Sequence, residues 1–457
     1  MAVAAASRKW PQNRVDSSST VSIDPLVRLR DSFAMSAPSP VLILPFILLL
    51  AAMALAPVIA PQWWLRHYPK VSFGLGGMTV AVYVFFLHDL ASLGHAAHEY
   101  AGFIALIGSL YVIAGGIRIE MPGPATPAVN ALFLFAGAVA ANVLGTTGAA
   151  MLLIRPWIQM NQGRVAAYHI AFFIFLVANV GGCLTPIGDP PLFLGYLQGV
   201  PFWWVARKCW PMWATGTGLL LAIFFFLDQR AWKKWQKNGG QLPPPAERRE
   251  RKQPSIMGLS NLFFLAMVVG AVFINHPPFL REGLMVLAAL GSYYTTNKAH
   301  HRANQFSFHP LVEVAVLFAG VFATMIPALV LLDHRAAEIL GPRPGPGIFY
   351  WGAGCLSAVL DNAPTYLGFL SALFGVAGAN EVSDLLGQRP DFLAAISIGA
   401  VFFGAATYIG NGPNFMVKAI AEQRGVPMPS FTGFLLKYSL LALLPVLVAV
   451  WLLFFRD

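Results

Sequence analysis

Charge is scarce in this chain. Only 11% of its 457 residues are Asp, Glu, Lys or Arg, against about 25% in soluble domains, so its surface cannot all face water. Cysteine is sparse too: Cys183, Cys209 and Cys355 lie far apart without C-x-x-C spacing. That leaves neither a disulfide framework nor a cysteine metal centre, only three small packing residues. Neither H-E-x-x-H nor G-x-S-x-G occurs, so nothing argues for an enzyme, and no resident cofactor is expected. Residues 1–34 contain no apolar run suited to a cleavable signal peptide.

Hydrophobicity is in excess, at 57% of residues, and arranged in long blocks, the pattern of a chain solvated by lipid. The formal charge of +10 does not indicate a nucleic-acid partner, because the basic residues sit between the blocks as topology determinants. The reading is an all-α polytopic membrane protein. Spans are expected at 41–59, 71–87, 102–117, 165–183 and 212–227, then at 259–274, 284–294, 311–332, 392–407 and 434–455. Residues 1–34 read as a disordered tail, with Met35 a possible start. A first repeat follows at 35–228, a basic cytoplasmic linker at 229–256, and a second repeat at 257–457. Tryptophans at block ends (Trp63, Trp64, Trp203, Trp204, Trp232, Trp235) read as interfacial anchors.

Two further apolar stretches, 130–158 and 348–379, are broken by N-V-L-G-T-T-G from Asn142 and by D-N-A-P-T-Y from Asp361. Each flank is about half a bilayer long at ~1.5 Å per residue, which predicts re-entrant hairpins. The order of features then repeats. After the first hairpin comes a helix ending in T-P-I-G-D-P-P (Thr185 to Pro191); after the second, one ending in T-Y-I-G-N-G-P (Thr407 to Pro413). Both are followed by Gly-Val-Pro. An odd number of spans per half makes the repeats inverted, each with about five spans, a hairpin and a broken helix. Inverted repeats with broken helices imply a secondary active transporter.

A helix interrupted in a bilayer frees backbone groups that need a cavity, water or ion. Freed carbonyls suit a hard cation, and half-helix N-termini suit an anion. Asp189 and Asp361 tilt the reading toward cation and proton exchange, since a carboxylate ~4 Å from an anionic substrate costs about 4 kcal/mol at an effective dielectric of 20. Two structural alternatives stand beside this: Asp189 could cap a half-helix, and Asp361 could bond the hairpin's own amides. Asn142, Thr146, Thr147, Thr185, Asn362, Thr365, Thr407, Asn411 and Asn414 complete the candidate ligand set. Glu313 and His169 are proton-path candidates. His88, Asp89, His95, His98 and Glu99 read as a solvated loop, not a metal site.

Paired hairpin tips, D-N-A-P-T-Y, T-P-I-G-D-P-P and N-G-P-N resemble the ion transporter superfamily. That group includes NhaD-type sodium/proton antiporters, arsenite permeases, citrate–metal symporters and divalent-anion/sodium symporters. The likeness is closest to bacterial sodium:proton antiporters and citrate transporters (CitMHS-like), and covers residue 36 to the C-terminus. It implies an elevator-like mechanism in a homodimer of the bacterial inner membrane. By it, the ligands come from Asn142, Thr146, Thr147, Thr185, Asp189, Asp361, Asn362, Thr365, Thr407 and Asn411. The anion symporters carry Ser-Asn-Thr at both tips. Here the tips read N-V-L-G-T-T and D-N-A-P-T, which favours transported Na+ and H+ over the alternative, a citrate-like organic anion carried with a cation.

Overall fold

A computed structural model describes residues 39–121, 125–239, 255–274, 276–341, 344–379 and 381–456. The expected tail at 1–34 and positions 240–254 of the linker lie outside the described residues. The chain is helical almost throughout: α1 (Leu44–Ile59), α2 (Pro61–Val82), α3 (Leu90–Gly116), α4 (Pro127–Met160), α5 (Ala167–Leu176), α6 (Pro190–Leu197) and α7 (Trp204–Lys237). There follow α8 (Asn261–Val272), α9 (Leu280–Thr295), α10 (Lys298–Ala303), α11 (His309–Leu340), α12 (Pro346–Val359), α13 (Asn362–Ala377), α14 (Val382–Gln388), α15 (Pro390–Phe403) and α16 (Gly412–Gln423). The last, α17 (Phe431–Phe454), contains a π stretch. A short antiparallel pair, β1 (Arg118–Glu120) with β2 (Ser255–Met257), ties the two halves together.

Among the described residues, seven helical stretches are long and apolar enough to cross a membrane, the first of them Pro40–Pro57, which includes most of α1. Leu44, Ile47 and Leu48 on α1, and Phe73 and Met78 on α2, face outward, as lipid solvation requires. Asn130, Asn142, Asp189, Asn362, Asn411 and Asn414 are buried, so polarity is concentrated inside.

α3 begins a dozen residues earlier than the sequence suggested. Asp89 caps it, its Oδ1 accepting from Ser92 N at 3.0 Å, and a capped first turn stabilises a start that the apolar pattern hides. His95, His98 and Glu99 therefore lie on a helix, not in a loop. Glu99 is buried, with His95 Nε2 3.0 Å from its Oε1. Trp232 corrects another expectation: it is buried inside, its ring under the Arg164 guanidinium at 4.9 Å.

α4 is a hairpin in three dimensions. Gly145 at its centre has φ 72 and ψ 153, a region open essentially to glycine alone. Asn130 and Asn161, 31 residues apart, exchange side-chain hydrogen bonds at 2.7 and 3.0 Å. A straight helix would hold them roughly 46 Å apart. The base closes further where Ala125 N donates to Met160 O at 2.8 Å. A Cβ at position 145 would also press on Ile187 O at 3.3 Å. Gly145→Ala should therefore cost about 1–3 kcal/mol, read as a lower unfolding midpoint of purified protein; an unchanged midpoint would remove Gly145 as the reason for the turn.

The second fold-back separates α12 from α13 at Leu360 and Asp361. Its legs pack side by side, with the Phe349 and Phe369 rings 6.2 Å apart. Both helices expected to break do so, earlier than their proline and glycine clusters. α5 stops at Leu176 and the chain resumes as α6 only at Pro190; α15 stops at Phe403 and resumes as α16 at Gly412. The two Gly-Val-Pro segments end their helices identically. Gly199 (φ 100) and Gly425 (φ 79) turn the chain, and Val200 N and Val426 N each reach back five residues at 3.0 Å, the glycine-terminated helix end.

Candidate functional site

Each unwound segment frees backbone groups, and matched side chains collect them. Thr185 Oγ1 donates to the Asn142 carbonyl at 2.5 Å and accepts from Gly188 N at 3.1 Å. Thr407 Oγ1 donates to the Ala358 carbonyl at 2.6 Å and accepts from Gly410 N at 3.1 Å. Each threonine thus stitches an unwound segment to a hairpin leg. Asn142 accepts from Leu184 N and donates to Gly181 O. Asn414 donates to Gly404 O and Thr407 O, both at 2.8 Å, and accepts from Asn179. These four residues satisfy the exposed backbone, so the structure gives them to the frame of the site.

What remains converges on one carboxylate. Asp189 is 1% exposed, and its side chain does not cap α6. Its Oδ1 accepts from Thr146 Oγ1 at 2.6 Å and from Asn411 Nδ2 at 3.1 Å, and its Oδ2 from Asn362 Nδ2 at 2.6 Å. Thr146 is at the first hairpin tip, Asn362 at the second, Asp189 opens α6, and Asn411 precedes α16. All four crossing elements therefore meet at this group. The three donors are neutral, so none balances the charge.

Asn362 has no exposed surface, and its Oδ1 has no partner among the described residues. Its amide orientation follows from Asp189, because the reverse would place two acceptors 2.6 Å apart. Asp361, adjacent in sequence, accepts from Ala363 N at 3.1 Å through Oδ1. The hairpin-amide alternative thus describes one of its oxygens. Thr365 Oγ1 donates to the Asp361 carbonyl at 3.0 Å, fixing the tip from within.

Asp361, Thr147 and Asn411 line a cavity of about 40 Å³ closed on the other side by Phe103, Ile107 and Tyr111 of α3 and Leu311, Val314 and Phe318 of α11. A water needs roughly 10–15 Å³ by this measure, so the cavity has room for a small ion with some water. None of the described residues lining it is Lys, Arg or His.

Neither proton-path candidate is among the described residues lining the cavity. Glu313 is on α11 near Tyr68 of α2; it is not among the residues lining the cavity, although its neighbours Leu311 and Val314 are. His169 has no exposed surface; its Nδ1 accepts from Ala166 N at 3.1 Å and its Nε2 lies 3.2 Å from Asp228 Oδ1. Sequence reasoning missed the cluster to which it belongs. Asp228 is fully buried and is held by Arg164 (2.6 and 2.9 Å), Tyr168 (2.6 Å) and Asn130 (3.0 Å). It locks α7 onto the base of the α4 hairpin. The only sequence signal was an aspartate directly after an apolar run.

With this geometry in place, comparison with known proteins settles the family. Residues 35–455 match the family described as "Putative citrate transport". The chain belongs to that family. Two curated proteins are similar to this chain. An uncharacterised transporter of Synechocystis sp. is 24% identical over 334 residues, covering 67% of this chain and 74% of that protein. A 46 kDa membrane protein of Mycobacterium leprae is 25% identical over 295 residues, covering 61% and 66%. The family's breadth of match includes both hairpins and both unwound segments, so the site lies wholly inside the shared region.

Proposed function

We propose that this protein is a secondary active transporter of the bacterial inner membrane that exchanges sodium for protons at Asp189 and Asp361. One observation carries the reading: a buried carboxylate whose donors among the described residues are all neutral stands beside Asn362 Oδ1, a buried acceptor with no partner among those residues. A buried charge needs a counter-charge, and an unsatisfied buried oxygen is costly. Sodium would answer both through oxygen ligands, and a proton on the carboxylate would answer the first. Alternation between them is exchange.

In this reading residues 35–228 and 257–457 are inverted repeats joined by a cytoplasmic linker. The matched roles of Thr185 with Thr407 and the shared Gly-Val-Pro ends support that pairing. The hairpins enter from opposite faces as re-entrant elements. Together with α5–α6 and α15–α16 they form a body that moves elevator-like against α3 and α11, in a homodimer. The family's description, putative citrate transport, favours a second reading, a citrate-like anion carried with the cation.

Everted vesicles with a pH-sensitive dye separate the two. Exchange predicts sodium-dependent proton efflux without added carboxylate; efflux that needs citrate would replace it with symport. Purified protein offers an independent check, because sodium at 100 times its Kd should add about 2.7 kcal/mol of stability, with potassium adding far less. Equal stabilisation by both ions would sink sodium as the cargo.

A further inference from the structure

A second and far larger cavity, of about 660 Å³, opens beside the N-terminal half of α3. Its wall takes in His98 and Glu99 of α3, Tyr196 of α6, Arg281 and Glu282 of α9, and Glu381 just before α14. A water needs roughly 10–15 Å³ by this measure, so the space is a chamber for a hydrated solute. Glu381 and Ser383 in its wall are exposed, which puts it in contact with solvent. With the histidines neutral, its charged lining among the described residues is Glu99, Glu282 and Glu381 against Arg281 alone, a wall that draws cations. Pro201 also lines it, just before α7, whose 34 residues run roughly 50 Å to the linker. The chamber therefore lies at the end of the molecule away from the linker.

Chamber and central cavity come together at consecutive residues of α3. A Cβ on Gly102 would stand 3.3 Å from both Arg281 Nη2 and Glu282 Oε1. The chamber's ion pair, closed by hydrogen bonds of 2.6 and 2.9 Å, thus lies against that turn. Phe103 comes next. It is 1% exposed, lines the central cavity, and is not among the described residues lining the chamber. Its ring stacks on Phe318 of α11 at 4.7 Å and meets Phe322 at 5.6 Å, and Phe318 lines the central cavity too. Glu99, Phe103 and Ile107 follow on successive turns of α3: chamber wall, ring, cavity wall. An apolar ring pair between a wet chamber and a polar cavity bars a hydrated ion, as hydrophobic constrictions do. Being made of side chains, it can open by rotation without unwinding a helix. We propose that the chamber is the aqueous access to the central cavity from the face opposite the linker, and that Phe103, stacked on Phe318, is the gate between them. This rests on the central cavity being the transport site, but not on sodium being the cargo.

The test is thiol labelling of full-length protein in vesicles of either orientation, with a membrane-impermeant cationic methanethiosulfonate. Cys183 and Cys209 are buried and Cys355 is exposed, so the background is Cys355→Ser. Lys234→Cys, at the linker end of α7, reports which face the reagent has reached. Ser383→Cys in the chamber wall should react from the opposite face only. Ile107→Cys in the cavity wall should react slowly from both faces, and at least tenfold faster from the chamber's face once Phe103→Ala is added. The unfolding midpoint reports whether that variant is folded; if it is not, Phe318→Leu carries the same expectation from the other side of the ring pair. An unchanged Ile107→Cys rate in a folded gate variant would overturn the gate, as would acceleration from the linker face. Ser383→Cys reacting from the linker face would overturn the chamber's placement. Labelling needs no cargo, so a failed sodium assay leaves these outcomes readable, and failed labelling leaves exchange at Asp189 standing.

Discussion

If the proposed exchange takes place at Asp189, Asp189→Ala should abolish sodium-dependent transport and sodium-dependent stabilisation together. A cation about 4 Å from a carboxylate gains about 4 kcal/mol at an effective dielectric of 20, close to a thousandfold in affinity. The substitution removes that gain and leaves Thr146, Asn362 and Asn411 without the acceptor they share. Asp189→Asn is the sharper probe, since it keeps the volume and removes the charge, while turning one of the two accepting oxygens into a donor. Transport in proteoliposomes and the sodium-induced rise in unfolding midpoint should fall in parallel for both variants. If Asp189→Asn keeps wild-type exchange, the counter-charge argument fails and Asp189 is a structural knot between the halves.

Asp228→Ala should act on stability instead. The carboxylate is fully buried and Arg164 is 3% exposed, so truncation strands a buried guanidinium. Breaking such a pair from one side costs about 3–5 kcal/mol, on the order of 10 °C in unfolding midpoint for a chain of this size. The double variant Arg164→Leu/Asp228→Leu removes both charges and should recover much of the loss. Additive losses in the double variant would show that the pair has no coupling and that the hairpin base is held by Asn130 and Asn161 alone.

Much of the site could be read from the chain because membrane interiors leave few reasons for polar residues. Asp189, Asn362 and Asn411 announced themselves as polar groups beside proline and glycine in apolar blocks, and the structure brings both asparagines within hydrogen-bond distance of Asp189. Their division of labour was not legible. Asn142 and Asn411 sit in similar local contexts, yet Asn142 spends its amide on Gly181 and Leu184 while Asn411 turns to Asp189. That choice depends on where each unwound segment passes, a tertiary fact without a local signature. Helix starts were misplaced for a related reason: Asp89 caps α3 through a polar turn that a search for apolar runs assigns to a loop. Asp228 was left just outside the span expected at 212–227 because a charge after an apolar block usually marks the interface. Here α7 continues to Lys237 and carries that charge inside.

The carboxylate of Asp189 belongs to one half of the chain by sequence and mostly to the other by its bonds, since two of its three donors come from beyond residue 350. Neither moiety can therefore own a finished binding place. Were the polypeptide severed between its halves, recognition of cargo would become a property of reunion: each fragment could insert on its own, and only the paired fragments would have anything to bind with.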